Sequence, residues 1–181
     1  MPERADCALR PATMEDAGRL RAWRNQDRIR ANMYSDHIIG EAEHVAWLER
    51  TLASDTARVL IFEFQGRPVG MVGFSNIDRH NDRCDWAFYL GEDTPRGTGA
   101  AMEYLALDHA FDDLNIGKLC CEVFAFNVGV VKMHGRFGFR QEGLFVRHRM
   151  KDGVLQDVVA LALFAEDWRE GRETMAETVF R

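Results

Sequence analysis

Arg96-Gly97-Thr98-Gly99-Ala100-Ala101 lies between a strand-like segment ending at Leu90 and a long amphipathic stretch that runs to Leu114. Two glycines within three residues let the backbone turn tightly and bring several N–H groups toward one point. A helix starting here adds its unpaired amino-terminal N–H groups and the positive end of its dipole, so the segment is predicted to cradle a pyrophosphate. Two other nucleotide-binding loops fail on residue type. A phosphate loop needs Gly-Lys-Ser/Thr, and no Lys follows Gly99; the dinucleotide fingerprint needs a third glycine where Met102 stands.

Outward from this turn the chain alternates strand and helix signals. Cys7 to Pro11 reads as a short strand, and Thr13 with Asp16 three residues on reads as a helix start whose first helix turns Ala17, Leu20 and Trp23 inward. A second helix is expected from about Glu41 to Ser54, with Ile29 to Ile39 between them a functional loop. Val59 to Phe64 and Val69 to Ile77 form two strand arms around the turn Gln65-Gly66-Arg67-Pro68, and Asp85 to Leu90 a third antiparallel strand. Helix three is expected over Gly99 to Leu114, with Met102, Leu105, Ala106, His109 and Ala110 at helical spacing. A strand from Leu119 to Phe124, a helix from Val128 to Phe137, and a hairpin of Phe139 to Met150 with Val154 to Phe164 around Lys151-Asp152-Gly153 complete the order. The pattern predicts an α/β protein with a mixed sheet and helices on both faces.

The 181 residues are expected to make one domain, with a core from about residue 8 to 165 and a short carboxy-terminal tail over 166–181. A net charge of −6 argues against a broad nucleic-acid-binding face but leaves room for a local basic pocket. Cys7, Cys84, Cys120 and Cys121 show no Cys-x-x-Cys spacing, so they read as reduced and structural, with no metal expected. No apolar signal segment opens the chain and nowhere do eighteen apolar residues run together, so a cytoplasmic protein without a membrane partner is expected.

Two motifs then carry a family resemblance. Arg96, Gly99 and Ala101 fill the pattern Q/R-x-x-G-x-G/A. From Asn127 to Phe139 the chain reads Asn-Val-Gly-Val-Val-Lys-Met-His-Gly-Arg-Phe-Gly-Phe. Together they resemble the acetyl-CoA-binding elements of the GCN5-related N-acetyltransferase (GNAT) superfamily. The resemblance implies a mostly antiparallel, twisted central sheet with strands 4 and 5 splayed apart, acetyl-CoA as cosubstrate, and no metal. It implies that Arg96, Gly97, Thr98, Gly99, Ala100 and Ala101 hold the pyrophosphate. It further implies that Asn127 meets the pantetheine chain, and that backbone N–H groups near Tyr89 and Leu90 bond pantetheine or the acetyl carbonyl. His134, seven residues after Asn127, stands where most relatives place a Tyr that protonates the leaving thiolate; an imidazole can do the same while titrating nearer neutrality.

The amino-terminal half, with Trp23-Arg24-Asn25, Arg30, Met33 to Ile38, His44 and Trp47, is similar to the PseH-type N-acetyltransferases of pseudaminic acid biosynthesis, which acetylate the 4-amino group of a UDP-linked amino-dideoxy sugar used to decorate flagellin. By that resemblance Met33 and Tyr34 flank the uracil, Arg24 and His44 meet the diphosphate, and Trp47 walls the pocket; Ser75 and Asn76 fall where relatives contact nucleotide. The residue types agree, since a base needs flat or polarisable partners and a diphosphate needs Arg or His donors. The sugar amine arrives protonated, and Glu122 is the candidate for holding the water that removes its proton. Cys120 and Cys121 have nothing nearby in sequence to activate them, so no covalent intermediate is expected. The same motifs leave two other readings open, a Rim-like acetyltransferase of protein amino termini and a catalytically silent acyl-CoA-binding module. The resemblance also allows for a homodimer.

Overall fold

Val59-Leu60-Ile61-Phe62 is apolar at every position because the strand that carries it, β2 (Arg58–Phe64), is covered on both faces. Val59 and Ile61 join one cluster with Leu20, Trp23, Ile29, Leu48 and Tyr89, while Leu60 and Phe62 join a much larger one with Phe74, Trp86, Met102, Leu107, Leu119 and Trp168. The structure, a computed structural model, describes residues 1–180.

One sheet holds β1 (Cys7–Pro11), β2, β3 (Arg67–Asp78), β4 (Arg83–Leu90), β5 (Lys118–Phe124), β6 (Arg140–Lys151) and β7 (Val154–Phe164), in the order β1-β2-β3-β4-β5-β7-β6. The turns at Gln65-Gly66 and Asp152-Gly153 put both central residues at positive φ, which suits the twist of the strands they join. All neighbours are antiparallel except β4 and β5. That parallel ladder is short: it runs from Arg83↔Lys118 to Asp85↔Cys120 and stops. Past it, β4 stays with β3 as far as Leu90 and β5 stays with β7 as far as Phe124, so the two part and the sheet opens between them.

On the side of the small cluster lie α1 (Ala17–Arg24), the single turn α2 (Asp27–Arg30) and α3 (Glu41–Leu52). The start of α1 is set as its sequence suggests: Asp16 accepts from the Thr13 N–H at 3.0 Å, and Arg10 grips both carboxylate oxygens at 2.8 and 2.9 Å. The large cluster is covered by α4 (Thr98–Asp108), α5 (Val128–Arg136) and α6 (Ala165–Val179).

Three expectations are corrected. The segment Ile29 to Ile39 is not all loop, since its first two residues close α2. Helix three does not run unbroken to Leu114; α4 ends at Asp108 and a wider π turn over His109–Asp113 follows, with the Leu114 N–H donating to the His109 carbonyl at 2.9 Å. The stretch expected as a short tail is the fifteen-residue α6. Ala165, Trp168, Met175 and Val179 recur at helical spacing within a polar run, and Trp168 is buried edge-on to Tyr104 with its indole N–H on Asp108 at 3.2 Å.

Candidate active site

The segment expected to cradle a pyrophosphate lies where the open edge of β4 meets α4. Gly97 sits at φ +98°, a left-handed conformation that other residues avoid, and a Cβ there would press on Pro2 at 3.2 Å. Thr98 is fully buried and closes the turn, its N–H and hydroxyl both donating to the Pro95 carbonyl at 3.2 and 2.7 Å. The Ala101 N–H returns to the Gly97 carbonyl at 3.1 Å. That leaves the amides of Gly97, Gly99 and Ala100 without an acceptor among the described residues, and no side chain caps the helix. Of the six residues expected to hold the pyrophosphate, these three therefore offer free N–H groups, Arg96 stands exposed beside them, and Thr98 and Ala101 shape the turn.

Asn127 precedes α5 where β5 ends, half-buried, with no hydrogen bond to its side chain among the described residues. Two turns along α5, His134 is 2% exposed and does not line the acceptor cleft described below. Its ring packs among Trp86, Phe88 and Phe139 at 5.4, 5.7 and 4.8 Å between centroids, and its Nδ1 is 2.7 Å from Oε1 of Glu103 on α4. Trp86 itself also lines one chamber of that cleft. Leu90 of β4 pairs with Gly70, and its carbonyl accepts from Arg28 at 2.9 Å; the Tyr89 ring belongs to the small apolar cluster. The other edge of β4 beyond Asp85 has no strand partner.

The opposite face of the split holds a cleft in two chambers. One, of about 720 Å³, is lined by Tyr34, Ser75, Asn76, Glu122 and Arg149 among others; the second, of about 340 Å³, by His44, Trp47, Arg50 and Tyr89. Arg24, Met33, Ser35 and Ala87 line both. The seven side chains singled out for substrate binding, and Glu122, thus all meet at one cleft although they are spread over a hundred residues of sequence.

Their charges are unequally answered. Arg24 donates from Nη2 to the Ser35 carbonyl and hydroxyl at 3.0 and 2.8 Å, but its buried Nη1 has no partner. Burial holds its pKa below the usual guanidinium range, and no carboxylate offsets this. His44 is also buried with Nε2 unpartnered; burial lowers its pKa, so it serves as a neutral hydrogen-bonding group. The cleft's carboxylates, in contrast, are taken: Glu43 by His37, Asp85 by Asn76 and Arg83, Glu142 by Lys118, Glu122 by the Tyr34 hydroxyl. Tyr34 is consequently less free than its expected place beside a base suggests. Its ring lies under the Arg149 guanidinium at 4.3 Å and edge-on to Phe124, and burial raises the hydroxyl's pKa. One face of that ring is already covered by Arg149, and Glu122 is part of a bridge from the loop to β5. The thiols are equally settled: burial pushes Cys84 up to about 12 and raises Cys120 and Cys121 as well, which leaves no ready thiolate.

Sequence reasoning missed the groups that hold the loop. Lys151, read as a turn residue, is 4% exposed, and its Nζ donates to the carbonyls of Arg30 and Met33 at 2.8 and 3.1 Å. Asn25 pairs through its amide with both the N–H and the carbonyl of Ile39 at 2.8 and 3.0 Å. Glu103, in an apolar helix, was also passed over. A carboxylate at a core position of α4 is itself a signal, because such a group persists only with a partner.

Residues 7–140 match the family model described as an acetyltransferase (GNAT) domain, and the chain belongs to that family: it is an N-acetyltransferase whose cosubstrate is acetyl-CoA. It is 29% identical over 146 residues to the SPbeta prophage-derived uncharacterized N-acetyltransferase YokL of Bacillus subtilis, covering 78% of this chain and 81% of that one. Among solved structures it is similar to spermidine N-acetyltransferase from Vibrio cholerae in complex with CoA and spermine, with a TM-score of 0.86 at 19% identity over 91% of this chain and 99% of the other. It is also similar to Mycobacterium smegmatis RimJ in complex with CoA-disulfide, with a TM-score of 0.81 at 20% identity over 95% and 88%. At those identities the likeness carries the fold alone. Among the described residues there is no cluster of three or more His, Cys, Asp or Glu that could hold a metal, and no helix is long and apolar enough to cross a membrane.

Proposed function

We propose that the protein transfers acetyl from acetyl-CoA to an amine borne on an anionic scaffold, a UDP-linked amino-dideoxy sugar acetylated at its 4-amino group being the class that fits best. The observation that carries this is Arg24: a guanidinium with one buried nitrogen unpartnered, opening on both chambers beside the orphaned His44 Nε2. A buried cation without a counter-charge is unfavourable, and a diphosphate would supply both the charge and the missing acceptors. Met33 and Trp47 give the second chamber polarisable and aromatic walls for a base.

In the reaction, the amides of Gly97, Gly99 and Ala100 hold the pyrophosphate and Asn127 the pantetheine chain. The acetyl carbonyl is then polarised by N–H groups on the unpaired edge of β4 near Tyr89 and Leu90. Glu122 accepts the proton of the incoming ammonium through a water. The freed amine forms the C–N bond and gives up its second proton through the same water to solvent, the C–S bond breaks, and His134 gives a proton from Nε2 to the thiolate.

A second reading, acetylation of a polyamine, is favoured by the similarity to a spermidine N-acetyltransferase. It would have to recruit carboxylates from partners they already hold. Offering purified protein acetyl-CoA with a UDP-amino-sugar, spermidine or an amino-terminal peptide, and following free thiol, separates these. Fastest turnover is expected with the nucleotide sugar. Much faster turnover of spermidine or the peptide would overturn the proposal, and no thiol release with any amine would favour a silent acyl-CoA-binding module.

A further inference from the structure

Glu103 is fully buried on α4, the helix whose amino terminus forms the anion cradle, and His134 is buried on α5. Their Oε1–Nδ1 contact of 2.7 Å ties together the two helices that flank the proposed CoA seat. The second carboxylate oxygen, Oε2, is buried without a partner. An apolar side chain would fill this site at less cost, since every residue of α4 from Ala101 to Leu107 is buried. The one polar contact that Glu103 makes among the described residues is with the imidazole. Around the ring stand the aromatic side chains of Trp86 and Phe88 from β4 and of Phe139 ahead of β6.

We infer that Glu103 is a positioning residue for His134: its carboxylate accepts from Nδ1–H, so that Nε2 is the nitrogen that works on the thiolate. It also stabilises the imidazolium that gives up the proton. This rests on the reading of His134 as proton donor. Three consequences follow from the chemistry. A carboxylate on Nδ1 fixes the tautomer, so the ring need not reorient when its proton leaves. The aromatic packing hinders the half-turn of the ring about Cβ–Cγ that would put Cδ2 where Nδ1 meets the carboxylate. Burial disfavours the charged form of the Glu103 carboxylate, and its contact with the imidazole works against that. The other titratable group facing the pair is the thiol of Cys121 on β5, which burial and the Glu103 charge hold protonated.

Glu103→Gln keeps the side-chain volume and removes the charge. Its single-turnover acetyl transfer is expected to fall about tenfold or more, with the high-pH limb moved to lower pH. The KM for acetyl-CoA should be unchanged, and the melting temperature should stay at or above that of the wild type because a buried charge has been removed. A purely structural glutamate would do the reverse, lowering stability and leaving the pH limb in place. In a His134→Tyr background, Glu103→Gln should leave the position of the limb unchanged. A wild-type rate and limb in Glu103→Gln would overturn the proposal. So would imidazole nitrogen NMR of the unmodified protein showing the neutral ring protonated on Nε2, a measurement that needs no variant to fold. If His134→Ala itself reacts at the wild-type single-turnover rate, the donor assignment fails; if His134→Ala is slow and Glu103→Gln is not, only the role of Glu103 fails.

Discussion

The two faces of the split sheet are built in opposite ways. On the α4 and α5 side, the turn at Gly97, the free amides that follow and the helix carrying His134 are each contiguous in sequence and rest on the larger apolar cluster. On the α1 to α3 side, the cleft is assembled by single long-range bonds around a small cluster of eight buried residues. Arg24 reaches Ser35, Asn25 reaches Ile39, Tyr34 reaches Glu122, and Lys151 reaches back more than a hundred residues to Arg30 and Met33. A cosubstrate that every member of a family shares calls for the first kind of construction. An acceptor that differs from one member to the next suits the second, because single contacts on exposed loops change without disturbing a core.

The largest effect should come from His134→Ala. Single-turnover acetyl transfer is expected to fall about 10²–10⁴-fold with CoA affinity by calorimetry unchanged, and His134→Tyr should recover part of the loss. An equal rate in His134→Ala would return the residue to packing. Next, Arg24→Ala on the other face should weaken an anionic acceptor by about 1.5–3 kcal/mol, read as KM for the nucleotide sugar with that for acetyl-CoA steady. A parallel loss in both constants would mean that the faces are not separable.

The cradle can be divided further. Gly97→Ala forces a side chain into a left-handed conformation against Pro2 and is expected to cost about 1–2 kcal/mol of stability by urea unfolding. Gly99→Val should leave stability nearly alone, because a Cβ there meets only Leu90 at an ordinary 3.7 Å, yet weaken CoA by blocking backbone approach. Reversal of that order would relocate the tight spot.

Smaller effects are expected where the acceptor loop is merely tethered. Lys151→Met strips the Arg30 and Met33 carbonyls of a donor on a segment where water can partly replace it. Acceptor KM should rise about fivefold, near the low end of a lost hydrogen bond, with faster amide exchange over residues 31–36 alone. Unchanged exchange there would show the tether to be idle. Smallest, Asp16 is held below the usual carboxylate range chiefly by its bond to Arg10. A depressed pKa adds stability that is present above the unfolded value near 3.9 and is lost as pH falls through the folded one. Arg10→Met should therefore flatten the pH dependence of stability below about pH 4, and an unaltered acid limb would refute the pairing.

Much of this was legible in the chain. The strand and helix order follows from apolar periodicity and turn chemistry, which are local, and the two motifs place the cradle and α5 without reference to anything distant. The cleft residues were named by type and resemblance, but nothing in their spacing says that Ser75 and His44 share a wall. Trp168 and its neighbours had helical spacing in plain view, hidden by the charged residues between them. Glu103 stood in the open as a carboxylate on an apolar helix.

Sequence by itself determined most of the elements, the glycine turn before α4 and the family, because backbone preferences and i, i+3, i+4 patterns act over a few residues. Only the tertiary structure decided which polar groups are answered: that Thr98 serves its own turn, that Tyr34 is committed to Glu122 and Arg149, that His134 is backed by Glu103, and that Arg24 is left with a free nitrogen. Satisfaction of a buried donor or acceptor depends on what other segments bring within about 3 Å of it, and a one-dimensional pattern does not contain that distance.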